Sequence, residues 1–176
     1  MEVDGEPLGI AGSGLISAVA EMLRRGMISP DGRMSRELGG SLTLVERPKK
    51  IEITQKDVRE VQKAVAAVYS AWRILLNRAN LTVRELKGIY LAGTFGSHLE
   101  PADAIDLGLI PPVNVDDVVS LGNAALSGAK ALLLSEEALE TARELYLRVI
   151  HESLADDPSF ADIFVEGTFL SRRAPS

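Results

Sequence analysis

Ile89, Tyr90, Leu91 and Ala92 form an unbroken apolar run that stops at Gly93, and no other feature narrows the possible folds as much. A short run without polar alternation reads as a buried strand, here over residues 86–91, of the kind that helices cover in an α/β sheet. The segment Gly93-Thr94-Phe95-Gly96-Ser97 then falls just beyond the carboxyl end of that strand. Ligands of open α/β sheets gather at such ends, and the two glycines leave backbone exposed against which a base could lie. The plainer alternative is that Phe95 plugs the core and the glycines make a turn.

The remaining elements follow from spacing and caps. Leu15, Ile16, Val19 and Leu23 recur at helical intervals between Gly9 and Gly26, with Ser13 as the expected N-cap and Gly26 as the stop. Ser29-Pro30-Asp31-Gly32 suits a type I turn. Leu42–Val45 and Ile51–Ile53 read as short strands around Arg47-Pro48-Lys49-Lys50, hence a hairpin or two edge strands. Thr54, with Asp57 three residues later, predicts a capping box opening a long helix whose stripe is Val58, Val61, Val65, Val68, Trp72, Leu75 and Leu76, ending near Asn80. Trp72 lies in that stripe and reads as core. Pro101 opens a short helix through Leu107. A second strand is expected over residues 115–121, then helices through Leu134 and from Ser135 to Arg148, a possible strand at 148–153, and a short helix at 158–169. Residues 1–171 read as one domain and 172–176 as a polar tail.

Composition excludes several classes of function. A net charge of −6 gives no field for phosphate backbones, and no basic cluster is interleaved with aromatics, so nucleic acid is not an expected partner. Without cysteine the chain can form no disulfide and ligate no iron-sulfur cluster through thiolates. His98 and His151 are the only histidines and are far apart in sequence, which argues against zinc. The apolar stretches fall short of the ~20 residues that span a bilayer, and Met1 is followed by acidic residues, so a cytoplasmic protein is expected.

A second glycine segment, Gly9-Ile10-Ala11-Gly12-Ser13-Gly14, runs into the first helix. Small residues and the free amides of a helix N-terminus suit a phosphate, although no Gly-Lys-Ser/Thr follows as in a P-loop. Residues 121–129 are rich in small side chains, which reads as a helix packed tightly on the sheet. Asp103 and Asp106 read as a solvated helix face, and Lys63 as a surface lysine that could reach a ligand.

The order of these motifs carries more than any one of them. Gly9-Ile-Ala-Gly-Ser-Gly-Leu-Ile-Ser, Ile53-Thr-Gln-Lys-Asp-Val-Arg-Glu-Val-Gln, Tyr90-Leu-Ala-Gly-Thr-Phe-Gly-Ser-His-Leu-Glu-Pro, Leu109-Ile-Pro and Gly122-Asn-Ala-Ala-Leu-Ser-Gly-Ala together resemble the C-terminal region of the reductive activators of corrinoid proteins. The resemblance implies an ATPase of the acetate kinase, hexokinase, actin and heat-shock chaperone superfamily, joined to a ferredoxin-type module. Such an activator uses ATP to drive electrons from an iron-sulfur cluster to an oxidised cobalamin, restoring cobalt(I). On this likeness the chain is an α/β, ribonuclease-H-like half-domain with a helical and hairpin insertion, incomplete at its N-terminal side. Gly12, Ser13 and Gly14 resemble the glycine segment near the phosphates, Gln62 and Lys63 the helix flanking the adenosine, and Gly93, Thr94, Phe95, Gly96 and Ser97 the adenosine loop.

The cofactor implied is ATP with Mg2+ in the complete protein. The partners implied are a corrinoid protein and the missing N-terminal iron-sulfur and ATPase regions, with a homodimer possible and no membrane involved. The family's phosphate-binding hairpin and magnesium-organising acid would precede Gly9, so the chain alone is expected not to hydrolyse ATP. A lysine of the family's long helix also falls at Val65 here, and Lys63 projects from a nearly opposite face. The alternative is a non-catalytic module that docks on a corrinoid protein or on the rest of the activator.

Overall fold

The computed structural model describes residues 6–47 and 49–172. Pro48 of the expected hairpin turn and residues 173–176 of the expected tail lie outside the described residues.

The first helix, α1 (Gly12–Arg24), buries Ile16, Val19, Ala20 and Met22 along one face. It stops at Gly26, whose φ of 68° is the left-handed conformation that a Schellman ending requires. There Met27 N–H returns to Met22 O at 2.9 Å and Gly26 N–H to Leu23 O at 3.0 Å. The expected cap is displaced: Ala11 occupies the N-cap without a capping side chain, and Ser13 sits inside the first turn. A turn forms where it was expected, with Gly32 N–H on Ser29 O at 2.7 Å.

Strands β1 (Ser41–Val45) and β2 (Ile51–Thr54) pair antiparallel as the expected hairpin. The long helix α2 (Gln55–Arg78) starts at the capping box. Thr54 N–H donates to Asp57 Oδ2 at 2.8 Å, and Asp57 N–H donates to Thr54 Oγ1 at 3.3 Å. The helix ends at Asn80, which takes φ 52° without being glycine and completes a second Schellman ending through Leu81 N–H on Leu76 O at 2.9 Å. Val58, Val61 and Val65 are buried and Trp72 is half-buried against Tyr69, but Val68 and Leu75, read as part of the stripe, are exposed.

Strands β3 (Ile89–Ala92) and β4 (Val118–Gly122) pair parallel, Ile89 opposite Val118 and Leu91 opposite Ser120. Both begin three residues later than the sequence suggests, because one-turn 3-10 helices at Val83–Glu85 and Val115–Asp117 precede them. The sheet is covered on one face only. Ile89, Leu91 and Val118 pack against the core, whereas Tyr90 is 67% exposed. The fully buried strand expected here is therefore half-covered in the described chain.

Between the strands, α3 (Gly93–Ser97) is a single helical turn and α4 (Pro101–Leu107) a short helix with Pro at its start. Asp103 and Asp106, read as a solvated face, instead hold α4 to α1: Arg24 Nη2 donates to Asp103 Oδ1 at 2.8 Å and Arg24 Nη1 to Asp106 Oδ2 at 2.9 Å. Asp103 is buried, and a shared guanidinium is what makes burying a carboxylate tolerable. Both carboxylates hold the Arg24 pKa above its ordinary value.

The core gathers Val19, Ile53, Val58, Val65, Ile105, Leu107 and Leu170. The last helix, α7 (Phe160–Gly167), crosses α2 so closely that a Cβ on Gly167 would stand 2.8 Å from Ala66 Cα. Helices α5 (Ala124–Leu134) and α6 (Glu136–Arg148) pack on each other and bury no residue. The small-residue stretch read as close packing on the sheet is thus exposed, since nothing among the described residues lies over it. No strand forms at 148–153, for the same lack of a neighbouring edge.

Candidate functional site

The two glycine segments, some eighty residues apart in sequence, meet. Ala11 leads into α1 with extended backbone, φ −70° and ψ 155°, and no side chain caps the helix. A Cβ placed on Gly12 would lie 3.4 Å from Phe95 Cε2 and 3.6 Å from its Cδ2. The Phe95 ring therefore stands against the first turn of α1, where a Cβ at position 12 would touch it at ordinary van der Waals distance. The ring is still 51% exposed, so one side of it faces solvent. Phe95 is neither of the extremes read from sequence: it is no core plug, and it stands at the junction of both segments.

The Gly93–Ser97 segment holds its shape by its own bonds. Gly93 takes φ 87° with open space around its Cβ position, turning the chain from β3 into α3. Gly96 is buried, and a Cβ there would be 3.3 Å from Leu91 Cβ, so the turn sits down on the strand that precedes it. Ser97 Oγ–H donates to Gly93 O at 2.8 Å, and His98 Nδ1 is 2.9 Å from Thr94 O. The expected loop is in fact a helical turn, because these bonds close it. Thr94 remains exposed.

Gln62 and Lys63 are engaged elsewhere. Gln62 is buried, donates through Nε2 to Thr168 O at 2.6 Å, and accepts from Arg59 Nη1 at 2.6 Å. Its amide lies against Gly32, where no side chain would fit. A buried amide with both ends satisfied is a structural tie. Lys63 is exposed and pairs with Glu60 at 2.8 Å. Both line a cleft of about 280 Å³ with Asp31 and Phe169, on the α7 side of α2.

A different pair of lysines, missed in the sequence reading, adjoins the first glycine segment. Lys49 and Lys50 of the β1–β2 turn line a cleft of about 360 Å³ with Gly9, Ile10 and Asp57. Lys50 also pairs with Glu52 at 2.5 Å, and that hydrogen bond raises its pKa. The signal was their place in a hairpin turn that returns beside the start of α2, which a reading of separate motifs does not connect to Gly9.

The arrangement offers exposed backbone, unengaged helix-end amides and one aromatic face. It fits the nucleoside and a phosphate of a nucleotide. Among the described residues no group of three or more His, Cys, Asp or Glu stands together to hold a metal ion.

Comparison with known proteins gives a consistent answer. The family described as "C-terminal domain of RACo the ASKHA domain" matches residues 2–175. The corrinoid activation enzyme RamQ of Eubacterium limosum is 33% identical over 93% of this chain and 31% of its own length. A Co(II) methylated amine-specific corrinoid protein reductase of Methanosarcina barkeri is 29% identical over 91% of this chain and 29% of its own. A solved reductive activator for a corrinoid, iron-sulfur protein superposes with a TM-score of 0.84 at 31% identity, covering 93% of this chain and 28% of that one. The chain thus spans under a third of the length of each.

Proposed function

The chain belongs to the family of C-terminal ASKHA domains of RACo, and from that premise we propose that it supplies the adenosine-side wall of the nucleotide site in an ATP-dependent reductive activator. The relatives named for corrinoid activation support the wider role, which is to return an oxidised cobalamin in a corrinoid protein to cobalt(I). The observation that carries the reading is the meeting of Gly12 and Phe95 just beyond the carboxyl end of β3. Gly12, Ser13 and Gly14 present amides toward a phosphate. Gly93 to Ser97 present backbone, and Phe95 one ring face, toward the base and ribose. Gln62 leaves this assignment as a tie within the fold, and Lys63 as a surface lysine paired with Glu60.

ATP supplies the free energy that drives the electron uphill when it is bound. This chain's residues orient the nucleotide and shield one side of it. The magnesium ligands, the other phosphate contacts and the iron-sulfur cluster belong to the N-terminal regions of the activator. The isolated chain accordingly turns over no ATP.

Calorimetry with ATP and ADP on the activator tests the reading. Gly93→Val, which forces a β-branched residue to positive φ, and Gly12→Val, which pushes the ring away, should each weaken nucleotide binding by roughly tenfold or more, about 1.4 kcal/mol. Unchanged affinity in both variants would sink it, and magnesium-dependent turnover by the isolated chain would show a more complete site. The non-catalytic docking role has its own support in the uncovered apolar side chains of α5 and α6, such as Leu133 and Leu134. Titration with a corrinoid protein in place of nucleotide separates the two.

A further inference from the structure

Residues 149–153 join α6 to the 3-10 turn Leu154–Asp156 and have no ladder partner among the described residues. The backbone at both ends is nevertheless extended: Val149 has φ −71° and ψ 127°, Ser153 φ −81° and ψ 108°. Val149 and Ile150 are β-branched, the type that strands favour, yet they are 74% and 81% exposed. Neighbouring residues of an extended segment face opposite ways, so both sides of this one are open. Tyr146 and Leu147, just before it, are 80% and 83% exposed, which makes the apolar patch continuous. Such a patch marks an interaction surface, unlike scattered single residues. The far end of the segment is fixed, because Arg78 of α2 pairs with Glu152 and, at 2.8 Å, with Asp157.

We propose that residues 149–153 are a strand held ready for a sheet edge contributed by the rest of the activator polypeptide, with Tyr146 and Leu147 buried by the same body. Beyond Val149, whose N–H closes α6 on Leu145 O at 3.1 Å, an extended segment that has no ladder partner and opens with two exposed β-branched residues is suited to strand addition. The solved relative superposes on 93% of the chain, while the matched part is only 28% of its own length. An edge within the same polypeptide acts at a high effective concentration, which a separate partner does not. The half-covered sheet, with Tyr90, Val119 and Leu121 exposed, is a second place where that body would pack. This inference rests on the reading of the chain as part of an activator.

Amide hydrogen exchange on the full-length activator tests it, with ATP affinity measured on the same preparation. Residues 149–153 should exchange roughly 100-fold more slowly than open chain at every protein concentration. Ile150→Pro, which removes an N–H and cannot continue a ladder, should return the neighbouring amides to the open rate, and Ile150→Thr should not. Open-chain exchange in the unsubstituted protein overturns the proposal. So does protection that rises with protein concentration, which means a second copy, or protection that needs added corrinoid protein. Protection without ATP binding leaves the strand in place and removes the nucleotide reading; ATP binding without protection does the reverse.

Discussion

The body built from α1, α2, β2, α4 and α7 and the arm built from α5 and α6 have similar shares of apolar residues but opposite fates for them. In the body Val19, Ile53, Val65 and Leu107 are fully buried, whereas in the arm Leu133 and Leu134 are 85% and 86% exposed. The body meets its own needs: α1, α2 and α4 are closed by turns at Gly26, Asn80 and Gly108, and its buried Asp103 has Arg24. The arm has caps, with Asn123 and Ser135 each accepting a backbone N–H, but nothing to bury. Local sequence was enough to form the arm's helices, and only tertiary neighbours could have given them a core. One region is a finished unit and the other leaves its apolar side chains uncovered among the described residues.

The largest effect that would sharpen this contrast is a matched pair of truncations. Leu107→Ala should cost about 2–5 kcal/mol in thermal or urea unfolding, while Leu133→Ala should stay within about 0.5 kcal/mol. Equal losses would erase the distinction. The next pair reverses sign. Gly167→Ala drives a Cβ to 2.8 Å from Ala66 Cα and 2.9 Å from Tyr69 Cδ1, a clash that should destabilise by about 1–3 kcal/mol. Gly128→Ala meets nothing within 4 Å in the interior of α5 and should stabilise that helix by about 0.4–1 kcal/mol, read by helix content on heating. Caps come third. Thr54→Ala should cost about 1 kcal/mol of global stability, and Ser135→Ala should only fray α6, seen as faster exchange of its first amides.

The smallest effect is one of pH. Hydrogen bonds from the Ser159 hydroxyl and from Arg78, then the Ser159 amide, hold the Asp157 carboxyl down at about 2. Its unfolded value is near 3.9. A lowered folded pKa means stabilisation that is complete above about pH 4 and fades as the pH falls toward 2. Asp157→Asn should therefore lower the unfolding midpoint at pH 7 and lose that difference in acid. A gap that persists at pH 2 would assign the effect to packing.

Much of the body was legible because its signals are local. Thr54 and Asp57, Pro101, Gly26 and Asn80 each act within a few residues, and each did what its chemistry requires. The errors fall where the deciding neighbour is remote. Asp103 looked solvated because Arg24 is far off in sequence, and the tie of Gln62 to Thr168 is more remote still. Val149 and Ile150 have strand chemistry, but a strand exists only beside another. At the candidate site, motif order identified both glycine segments. Their meeting at Phe95 follows from no local pattern, and the Lys49–Lys50 turn escaped because it joins that surface only in three dimensions.

The closing turn after α7 does not simply trail away. Leu170, fully buried, donates its N–H to Pro30 O at 2.8 Å, and Thr168 O accepts from Gln62. Shortening the polypeptide from this side would be no cosmetic trim: cutting before residue 168 would pull the stitch that secures the bend at Ser29–Gly32, and damage would surface more than a hundred residues upstream of the cut.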